Sequence, residues 1–455
     1  MPIFSWKNSK FKILGITIFK VKNISQGIYL YVLGIPCYKH KGKLSKLVAE
    51  IRKNKNFNTQ EFDKKIESFI KPINVVKMQK NNNNIGFFAT EIYDMGGHSK
   101  CIKDLILSLS NKYQQFLFLT KKSSSIAYAP NILDFIKDHV NIYGIDANLI
   151  FFRKNIKRFC DKIISTNIRT LLVYIHPDDI FGTAVLAYLK KATNIKIIYF
   201  NHASHFPSLG MSFADVILEG MPTTEKVTNE KRGFSNTKII GLQSLAKGET
   251  KYFSKDELNQ LKNNIGISKD NLVTMSGASS YKFFDNDASS YFTMIKNLLK
   301  KEPRLIHVII SEFNDKQKSI IDNIFEDAKD IKKRLIFVPY QTNFDKYFQC
   351  ADVFIDSFPV SSALTQIDLM RNKVASVVKI NKETPEFSFH EYQMPNYPYM
   401  FEKVEDMEKA VLELLHNVNK RREIIEKNYD FWLKTYESSV YKNKILKIIN
   451  GDNNE

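Results

Sequence analysis

The residues best placed to do chemistry stand in one run, VFIDSFPVSSALTQID, residues 353–368. Its apolar start predicts a buried strand, and the small polar residues after it predict a turn into a helix that begins near Ala363 and Leu364. The first N–H groups of a helix are unpaired and carry the positive end of its dipole, so they attract anions. The hydroxyl donors that would join this anion site are those of Ser361, Ser362 and Thr365.

One helical turn further on, Asp368 offers a carboxylate that can accept hydrogen bonds from a pair of sugar hydroxyls. Hydrogen-bond donors for phosphate, beside a hydrogen-bond acceptor for a sugar diol, suit the binding of a nucleoside diphosphate. The alternative is an ordinary serine-capped helix after a strand, which is a common arrangement. Asp356, at the end of the predicted strand, could equally be no more than a cap of the loop.

Histidines stand where strands of the first half are predicted to end, and His98 is the leading candidate for a general base. It follows Gly96 and Gly97, which let the backbone approach a ligand closely. Because the unperturbed pKa of histidine lies near neutrality, His98 could take a proton from an acceptor hydroxyl. It could instead orient the donor or cap the next helix. We assign Gly96 and Gly97 to binding of the acceptor substrate, the molecule that carries this hydroxyl. Glu219, at the end of a later predicted strand, is a weaker candidate for acid–base chemistry.

His176 and His202 follow two later predicted strands and are the other candidate catalytic residues. His205 comes three residues after His202 and is assigned to the acceptor. The spacing of this pair would suit a metal ion, but no third ligand is evident, so no metal site is predicted. The acid pair that follows His176, Asp178 and Asp179, fits a helix cap better than a metal ligand set.

Apolar strands alternate with helical patterns along most of the chain, for example at residues 85–89, 170–175 and 272–275. Strands that are apolar throughout and separated by helices indicate parallel sheets buried on both faces. We predict an α/β protein with two Rossmann-like, doubly wound domains that face a cleft, with ligands at the carboxyl ends of the strands. The predicted boundaries are 1–80 for a basic N-terminal extension, 81–245 for the first domain, 246–402 for the second, and 403–455 for C-terminal helices that cross back to the first domain.

The composition narrows the class of protein. The 455 residues include 67 Lys and Arg against 48 Asp and Glu, a formal charge of +19. Such a basic protein favours nucleic acid, anionic lipid or a phosphorylated substrate as its partner. Four scattered cysteines without a CxxC pair argue against a zinc site or a disulfide framework and fit a reducing cytosol. We expect no signal peptide, and no apolar run is long enough to span a membrane.

Two similar runs stand near the N-terminus, at residues 14–20 (LGITIFK) and 33–39 (LGIPCYK). Each is a short β-prone segment closed by a lysine, and the two could pair as a hairpin. Aliphatic and aromatic residues beside clustered lysines also suit an anionic membrane surface. The alternative is a basic hairpin packed on the main body.

Several short motifs resemble the donor domain of the O-GlcNAc transferases and their bacterial relatives. They are Arg334–Pro339 (RLIFVP), Ala351–Val353 (ADV), Asp356–Pro359 (DSFP) and the spacing Thr365-x-x-Asp368. Tyr281 and Lys282, between a predicted strand and a helix, are similar to the start of the same domain, and Gly97-His98 is similar to the family's first catalytic loop. The likeness covers roughly residues 270–380 well and 85–105 loosely, and no tetratricopeptide repeats are seen.

The resemblance implies the GT-B fold, a UDP-sugar donor, inversion of the sugar's configuration and no metal. It implies that Lys282 neutralises the departing diphosphate, where fixed positive charge helps most. A solvated surface lysine is the alternative. Tyr340 and Gln341 would meet the nucleotide base, and Asp368 the ribose. The remaining predicted donor contacts are Ser276, Gly277, Tyr281, Ser361, Ser362, Ala363, Leu364 and Thr365.

The sequence departs from the family's pattern in the phosphate loop, where Ser362 and Ala363 replace a Gly and a His. Retaining GT-B enzymes carry a Glu eight positions before an acidic residue, and here that position is Val360. The retaining pattern is therefore absent.

These observations predict a metal-independent, inverting glycosyltransferase of the bacterial cytoplasm, peripheral on the inner face of the cytoplasmic membrane. It would transfer a hexosyl or N-acetylhexosaminyl group from a UDP-sugar, with no cofactor and no nucleic acid partner. The expected acceptor is a cell-surface glycan or a lipid-linked glycan, as in lipopolysaccharide or capsule biosynthesis. The alternatives are a protein glycosyltransferase acting on Asn or Ser, a UDP-sugar 2-epimerase, and a non-catalytic nucleotide-sugar-binding protein.

Overall fold

The computed structural model of the chain divides into two compact units, residues 1–240 with 447–455, and residues 241–446. Between residues 4 and 40 only the backbone is described. The described residues are 4–7, 10–13, 16–24, 27–32, 35–40, 43–70, 75–79, 83–94, 97–147, 151–242, 244–245, 247–285, 287–341, 344–380 and 394–451.

The N-terminal residues of the first unit form a five-stranded antiparallel sheet in which each strand pairs with the next along the chain. Its strands are β1 (Phe4–Lys7), β2 (Lys10–Ile13), β3 (Ile16–Ile24), β4 (Gly27–Val32) and β5 (Ile35–His40). The described parts of the two similar runs, residues 16–20 and 35–39, fall in β3 and β5, and these two strands do not pair with each other. The segment between them, GIYLYV, is itself β-prone, so it forms β4 and pairs with both.

The first unit is built around a seven-stranded sheet, and all its strand pairs are parallel. The strands, in sheet order, are β12 (Thr237–Ile239), β11 (Val216–Glu219), β10 (Lys196–Phe200), β9 (Thr170–Tyr174), β6 (Asn84–Ala89), β7 (Gln114–Leu119) and β8 (Asn141–Gly144). Every residue of β9 is buried, as expected for a central strand covered on both faces.

Eight α-helices accompany the described strands of this unit. They are α1 (Lys43–Lys53), α2 (Gln60–Glu67), α3 (Gly97–Leu109), α4 (Lys122–Tyr128), α5 (Pro130–Ile136), α6 (Phe152–Ser165), α7 (Ile180–Ala192) and α8 (Pro222–Val227). Short turns of other helical types lie at Met211–Phe213 and Thr228–Arg232.

Residues 43–70 and 75–79, predicted as part of a separate extension, are integral to the first unit. Leu47 of α1 and Ile66 of α2 belong to the same core as β9 and α7. The buried carboxylate of Asp63 accepts hydrogen bonds from the main-chain N–H of Gly210 at 2.8 Å and from the Ser212 hydroxyl at 2.6 Å. Helix α2 is therefore fastened to the loop before β11 by packing and by a buried carboxylate.

The second unit has a six-stranded parallel sheet. Its strands, in sheet order, are β15 (Leu335–Val338), β14 (Leu305–Ile310), β13 (Leu272–Gly277), β16 (Val353–Ile355), β17 (Ala375–Lys379) and β18 (Met400–Phe401). Chain order reverses across β13 and β16, which is the doubly wound arrangement. Two parallel sheets flanked by helices confirm the predicted α/β class with two Rossmann-like domains.

Some helices of this unit begin at side-chain caps, such as the capping boxes at Ser254 and Asn314. They are α9 (Lys255–Asn264), α10 (Ser290–Lys301), α11 (Asp315–Ile324), α12 (Lys329–Lys332), α13 (Phe344–Phe348), α14 (Ala363–Arg371), α15 (Val404–His416), α16 (Val418–Thr435) and α17 (Ser438–Asn450). Short 3-10 turns lie at Lys247–Glu249, Ser280–Phe283 and Glu326–Ala328.

The C-terminal helices of 403–455 are predicted to cross back to the first domain, and the structure places two of them, α15 and α16, in the core of the second unit. Met407 of α15 and Trp432 of α16 are fully buried in the core of the second unit. Their apolar faces cover the second sheet, and the indole N–H of Trp432 donates to the Ser244 hydroxyl at 2.9 Å. Among the described residues from 403 onward, those that group with the first unit are 447–451. In the described part of the chain, no helix has the length and apolar character needed to cross a membrane.

Candidate functional site

Three histidines meet at the carboxyl edge of the first sheet, and we call them the histidine cluster (His98, His176 and His202). His98 is the second residue of α3, and the other two follow β9 and β10. The His98 ring centroid lies 4.4 Å from that of His202 and 5.8 Å from that of His176. His176 and His202 follow His98 by 78 and 104 positions in the sequence. They become its neighbours because adjacent parallel strands end at the same edge of the sheet.

The hydrogen bonds of His98 define its tautomer. Its Nε2 lies 2.9 Å from the carbonyl oxygen of Tyr174, and a carbonyl can only accept, so Nε2 carries the proton. Nδ1 therefore presents a lone pair, and this buried atom has no hydrogen-bond partner among the described residues. Burial lowers the pKa of His98 to about 4, so the ring is neutral at pH 7. Buried acceptors in proteins usually have a hydrogen-bond partner, so this atom is a candidate contact for a ligand hydroxyl.

Glu91 is a site residue that was not predicted from the sequence. Its Oε1 lies 3.7 Å from Nδ1 of His176 and 2.7 Å from Nζ of Lys121, and Ser124 donates to its other oxygen. Burial raises the pKa of Glu91, but Lys121 and the Ser124 and Tyr93 hydroxyls outweigh this and hold it below its usual range. A signal was present in the sequence, since Glu91 stands two residues after β6, at the ligand-binding end of that strand.

Of the acid pair after His176, Asp179 caps a helix, as predicted. Asp179 caps α7 by accepting from the N–H of Gly182 at 2.7 Å, and its other oxygen accepts from the hydroxyls of Thr90 at 2.6 Å and Thr120 at 2.9 Å. Thr90 in turn accepts from the N–H of His176 at 2.8 Å. Asp179 therefore caps α7 and, through Thr90, also holds the main chain at His176 in place.

The other residues predicted in the first unit are more scattered. Gly97 is the first residue of α3, whereas Gly96 lies outside the described residues. The His205 ring packs on Phe206 at a centroid distance of 4.2 Å. Glu219 is fully buried and accepts from Asn201 and Thr228, and burial raises its pKa, so it is placed as an interior carboxyl group. Among the described residues, no three His, Cys, Asp or Glu side chains converge as a metal site would require.

The second unit brings Lys282 to the turn between β16 and α14, and we call Lys282 with residues 357–362 the lysine–serine loop. The Lys282 Nζ donates to the carbonyl oxygen of Ser361 at 2.9 Å and to the hydroxyl of Ser362 at 3.2 Å. The Ser357 hydroxyl lies 3.2 Å from that of Ser362. Burial lowers the pKa of Lys282, while Asp356 opposes that shift. Lys282 is therefore partly buried at the start of a helix, which is not the environment of a solvated surface lysine.

Ser276 and Gly277, at the end of β13, are both buried. The Ser276 hydroxyl donates to the carbonyl oxygen of Ile355 at 2.6 Å and accepts from Tyr291. Its side chain thus links β13 to β16. The main chain of Ser276 is the part that is left to contact a nucleotide-sugar donor. A Cβ at Gly277 would lie 3.3 Å from the Phe344 ring, which favours glycine here.

Tyr281 and Tyr340 present aromatic surface at the same end of the second sheet. Tyr281 is 60% exposed. The Tyr340 ring packs edge-on against the Phe344 ring, with 5.4 Å between the ring centroids. The Gln341 side chain donates to the carbonyl oxygen of Pro339 at 2.8 Å. These rings offer stacking surface for a planar base.

The residues predicted on α14 follow the lysine–serine loop directly. Ala363 is its first residue, and Leu364 and Thr365 are half-buried. Asp368 lies one turn further, and its Oδ1 is 3.2 Å from Nη2 of Arg371. One unit thus offers neutral imidazoles that can accept a proton, and the other offers an ammonium, hydroxyls and helix N–H groups that can hold an anion.

Comparison with known proteins identifies the fold. No family model matches the chain, and no curated protein matches its sequence. A glycosyltransferase from Rickettsia africae is 9% identical, with a TM-score of 0.65 over 82% of this chain and 100% of that one. Anabaena Alr3699/HepE in complex with UDP and glucose is 11% identical, with a TM-score of 0.62 over 81% and 100%. An O-GlcNAc transferase mutant from Thermobaculum terrenum is 10% identical, with a TM-score of 0.57 over 88% and 75%.

These likenesses extend over both units, and they show that the chain has the GT-B fold. At 9–11% identity they concern architecture alone.

Proposed function

We propose that this protein is an inverting glycosyltransferase that moves a sugar from a UDP-sugar to an acceptor hydroxyl. The observation that carries the proposal is the lysine–serine loop, where Lys282 Nζ is held at the start of α14 with Asp368 one turn beyond. The GT-B fold supports it, because HepE shares that fold and was solved with UDP and glucose.

The donor half of the reaction is assigned to the second unit. As the bond from the sugar's anomeric carbon to the diphosphate breaks, negative charge grows on the leaving oxygen. Lys282, the N–H groups at the start of α14 and the Ser362 hydroxyl supply preorganised positive charge and donors for it. Tyr340 is assigned to the base and Asp368 to the ribose, as the family resemblance implies. These groups need no divalent metal, so we propose metal-independent transfer.

The acceptor half is assigned to the first unit. The acceptor oxygen forms the new bond to the anomeric carbon while Nδ1 of His98 takes the hydroxyl proton, and UDP leaves with the electron pair of the broken bond. The Nε2–H of His98 keeps its hydrogen bond to Tyr174 throughout, which stabilises the imidazolium that forms. Attack from the side opposite the leaving group inverts the sugar's configuration.

For the acceptor we propose a cell-surface or lipid-linked glycan at the inner face of a bacterial cytoplasmic membrane. The support is the formal charge of +19 and the lysines among residues 1–45. Each basic residue near an anionic surface contributes about 1 kcal/mol, and salt weakens that attraction. Sedimentation with anionic vesicles should exceed that with neutral vesicles and should fall as salt rises. Equal sedimentation with both would contradict the electrostatic attachment.

The function is tested by screening UDP-sugars for binding and then measuring UDP release with glycan and peptide acceptors, with and without EDTA. Acceptor-dependent release of UDP that survives EDTA supports the proposal. A peptide acceptor as the sole productive one would identify a protein glycosyltransferase. Conversion of the UDP-sugar without an acceptor would identify an epimerase, and binding without turnover would identify a non-catalytic protein. Activity lost in EDTA and restored by manganese would contradict metal independence.

A further inference from the structure

A buried arginine, Arg371, contacts Asp368, the residue assigned to the ribose in the proposed donor site. The Arg371 side chain is 2% exposed and lies between two carboxylates. Its Nη1 and Nη2 donate to the two oxygens of Asp345 at 2.9 and 2.7 Å, and Nη2 also contacts Oδ1 of Asp368 at 3.2 Å. Asp368 comes three residues earlier on α14, whereas Asp345 comes from α13. One guanidinium therefore links two helices and contacts Asp368, the residue proposed to bind the ribose.

Further hydrogen bonds fix this arrangement. Asn372 donates to Asp345 at 2.9 Å and to the carbonyl oxygen of Asp368 at 2.9 Å. Gln349 donates to the Asn372 side chain at 2.7 Å, and the Tyr252 hydroxyl donates to the carbonyl oxygen of Arg371 at 2.9 Å. Neither Asp345 nor Arg371 can turn away without breaking several of these contacts.

The two carboxylates contact the guanidinium of Arg371 differently. Asp345 receives the bidentate contact, the stronger geometry for an arginine and a carboxylate. Asp368 receives one longer contact to the same guanidinium, and 19% of its side chain is exposed. Asp345 thus holds the guanidinium in place, and Arg371 in turn orients the Asp368 carboxylate.

We propose that Arg371 and Asp345 are positioning residues that aim the Asp368 carboxylate at the ribose diol and thereby make the site select ribonucleotides. This inference rests on the proposed function, which assigns Asp368 to the ribose of a UDP-sugar. Neither positioning residue touches the nucleotide itself. Their effect should therefore appear only for ligands that carry ribose hydroxyls.

The test measures by calorimetry the affinity for UDP and for 2′,3′-dideoxy-UDP, which lacks both hydroxyls. The wild-type protein should prefer UDP by about ten- to a hundredfold, the range for hydrogen bonds to a charged group. Asp368→Asn should abolish most of that preference. Arg371→Gln and Asp345→Asn should also reduce it severalfold by weakening UDP alone, with the affinity for dideoxy-UDP unchanged. Lys373→Gln, a neighbouring cation that packs on Tyr429 instead, is the matched control and should keep the full preference.

The outcomes separate the inference from the function on which it rests. If Arg371→Gln and Asp345→Asn weaken both ligands equally, their role is structural and the inference is overturned. If Asp368→Asn loses the preference while both other variants keep it, the inference is also overturned, but the donor site stands. If Asp368→Asn binds UDP as tightly as the wild type, the donor-site assignment itself is wrong. Should Arg371→Gln fail to give a cooperative melting curve, the milder Asp345→Asn decides.

Discussion

The histidine cluster of the first unit and the lysine–serine loop of the second unit occupy equivalent places, since both lie where parallel strands end. They differ in the kind of charge that they can carry. The cluster is built from imidazoles, and burial lowers the pKa values of His98 and His176, which keeps them neutral. The loop is built around Lys282, a fixed cation whose ammonium donates to Ser361 and Ser362.

This difference matches the two demands of glycosyl transfer. An acceptor hydroxyl has to lose a proton, so its partner must be a neutral base that can become charged. A departing diphosphate gains negative charge, so its partner should be charged before the reaction begins. Two parallel sheets can therefore serve opposite roles through the loops that follow their strands, and variants in the two loops should fail in different ways.

The largest expected effect is that of His98→Ala. Loss of the general base should lower saturated turnover by about 10²–10⁴-fold, with UDP affinity little changed. In the wild type, turnover should persist below pH 6 and fall only as the pH drops through about 4, where Nδ1 becomes protonated. A UDP-release assay and UDP calorimetry check both points, with the exposed His139→Gln as the control. Normal turnover in His98→Ala would pass the role to His176 or His202.

The next effect is that of Lys282→Met, which keeps the length of the side chain and removes its charge. Turnover should fall by about 10²–10³-fold, the range for removal of one preorganised electrostatic group. Unlike His98→Ala, this variant should also bind UDP more weakly. The same two assays measure it, and Lys255→Met, on the exposed first residue of α9, is the control. If UDP affinity is unchanged in Lys282→Met, the ammonium does not contact the diphosphate.

The smallest effect concerns stability and a histidine that serves no proposed step. His307 is fully buried between the hydroxyls of Thr274 at 2.9 Å and Tyr291 at 3.0 Å, and burial lowers its pKa to about 3. Between pH 6.5 and about 3, the unfolded chain binds a proton that the folded protein does not. Stability should therefore decrease as the pH falls through this window, by up to about 1.4 kcal/mol per pH unit, and this contribution should be flat above pH 6.5.

His307→Gln should be less stable than the wild type at pH 7.5 but should lose less stability between pH 7.5 and 5. Urea midpoints at the two pH values measure this difference. Asp63, whose pKa is raised by burial to about 6, contributes with the opposite sign, but it is present in both proteins and cancels in the comparison. An identical loss in the two proteins would show that His307 is protonated in the folded state.

Features local in sequence could be predicted from it. The apolar runs predict parallel strands, the acid pair that includes Asp179 predicts a helix cap, and the run 353–368 predicts a strand, a turn and a helix; the structure has each of these. Pairings between distant residues could not be predicted. Glu91 and Lys121 are 30 residues apart, and Arg371 and Asp345 are 26 apart. Their ion pairs exist because neighbouring strands end at one edge or because two helices pack together.

The sequence by itself determined the class of fold and the residue types near each strand end, because burial of apolar runs and capping of helices act over a few residues. The tertiary structure decided which of those residues act together. It brought three histidines into contact, placed Lys282 at a turn 79 residues away, and turned the Ser276 hydroxyl into a tie between strands. It also decided that helices α1 and α2 belong to the first core, since the burial of an amphipathic helix depends on the surface against which it packs.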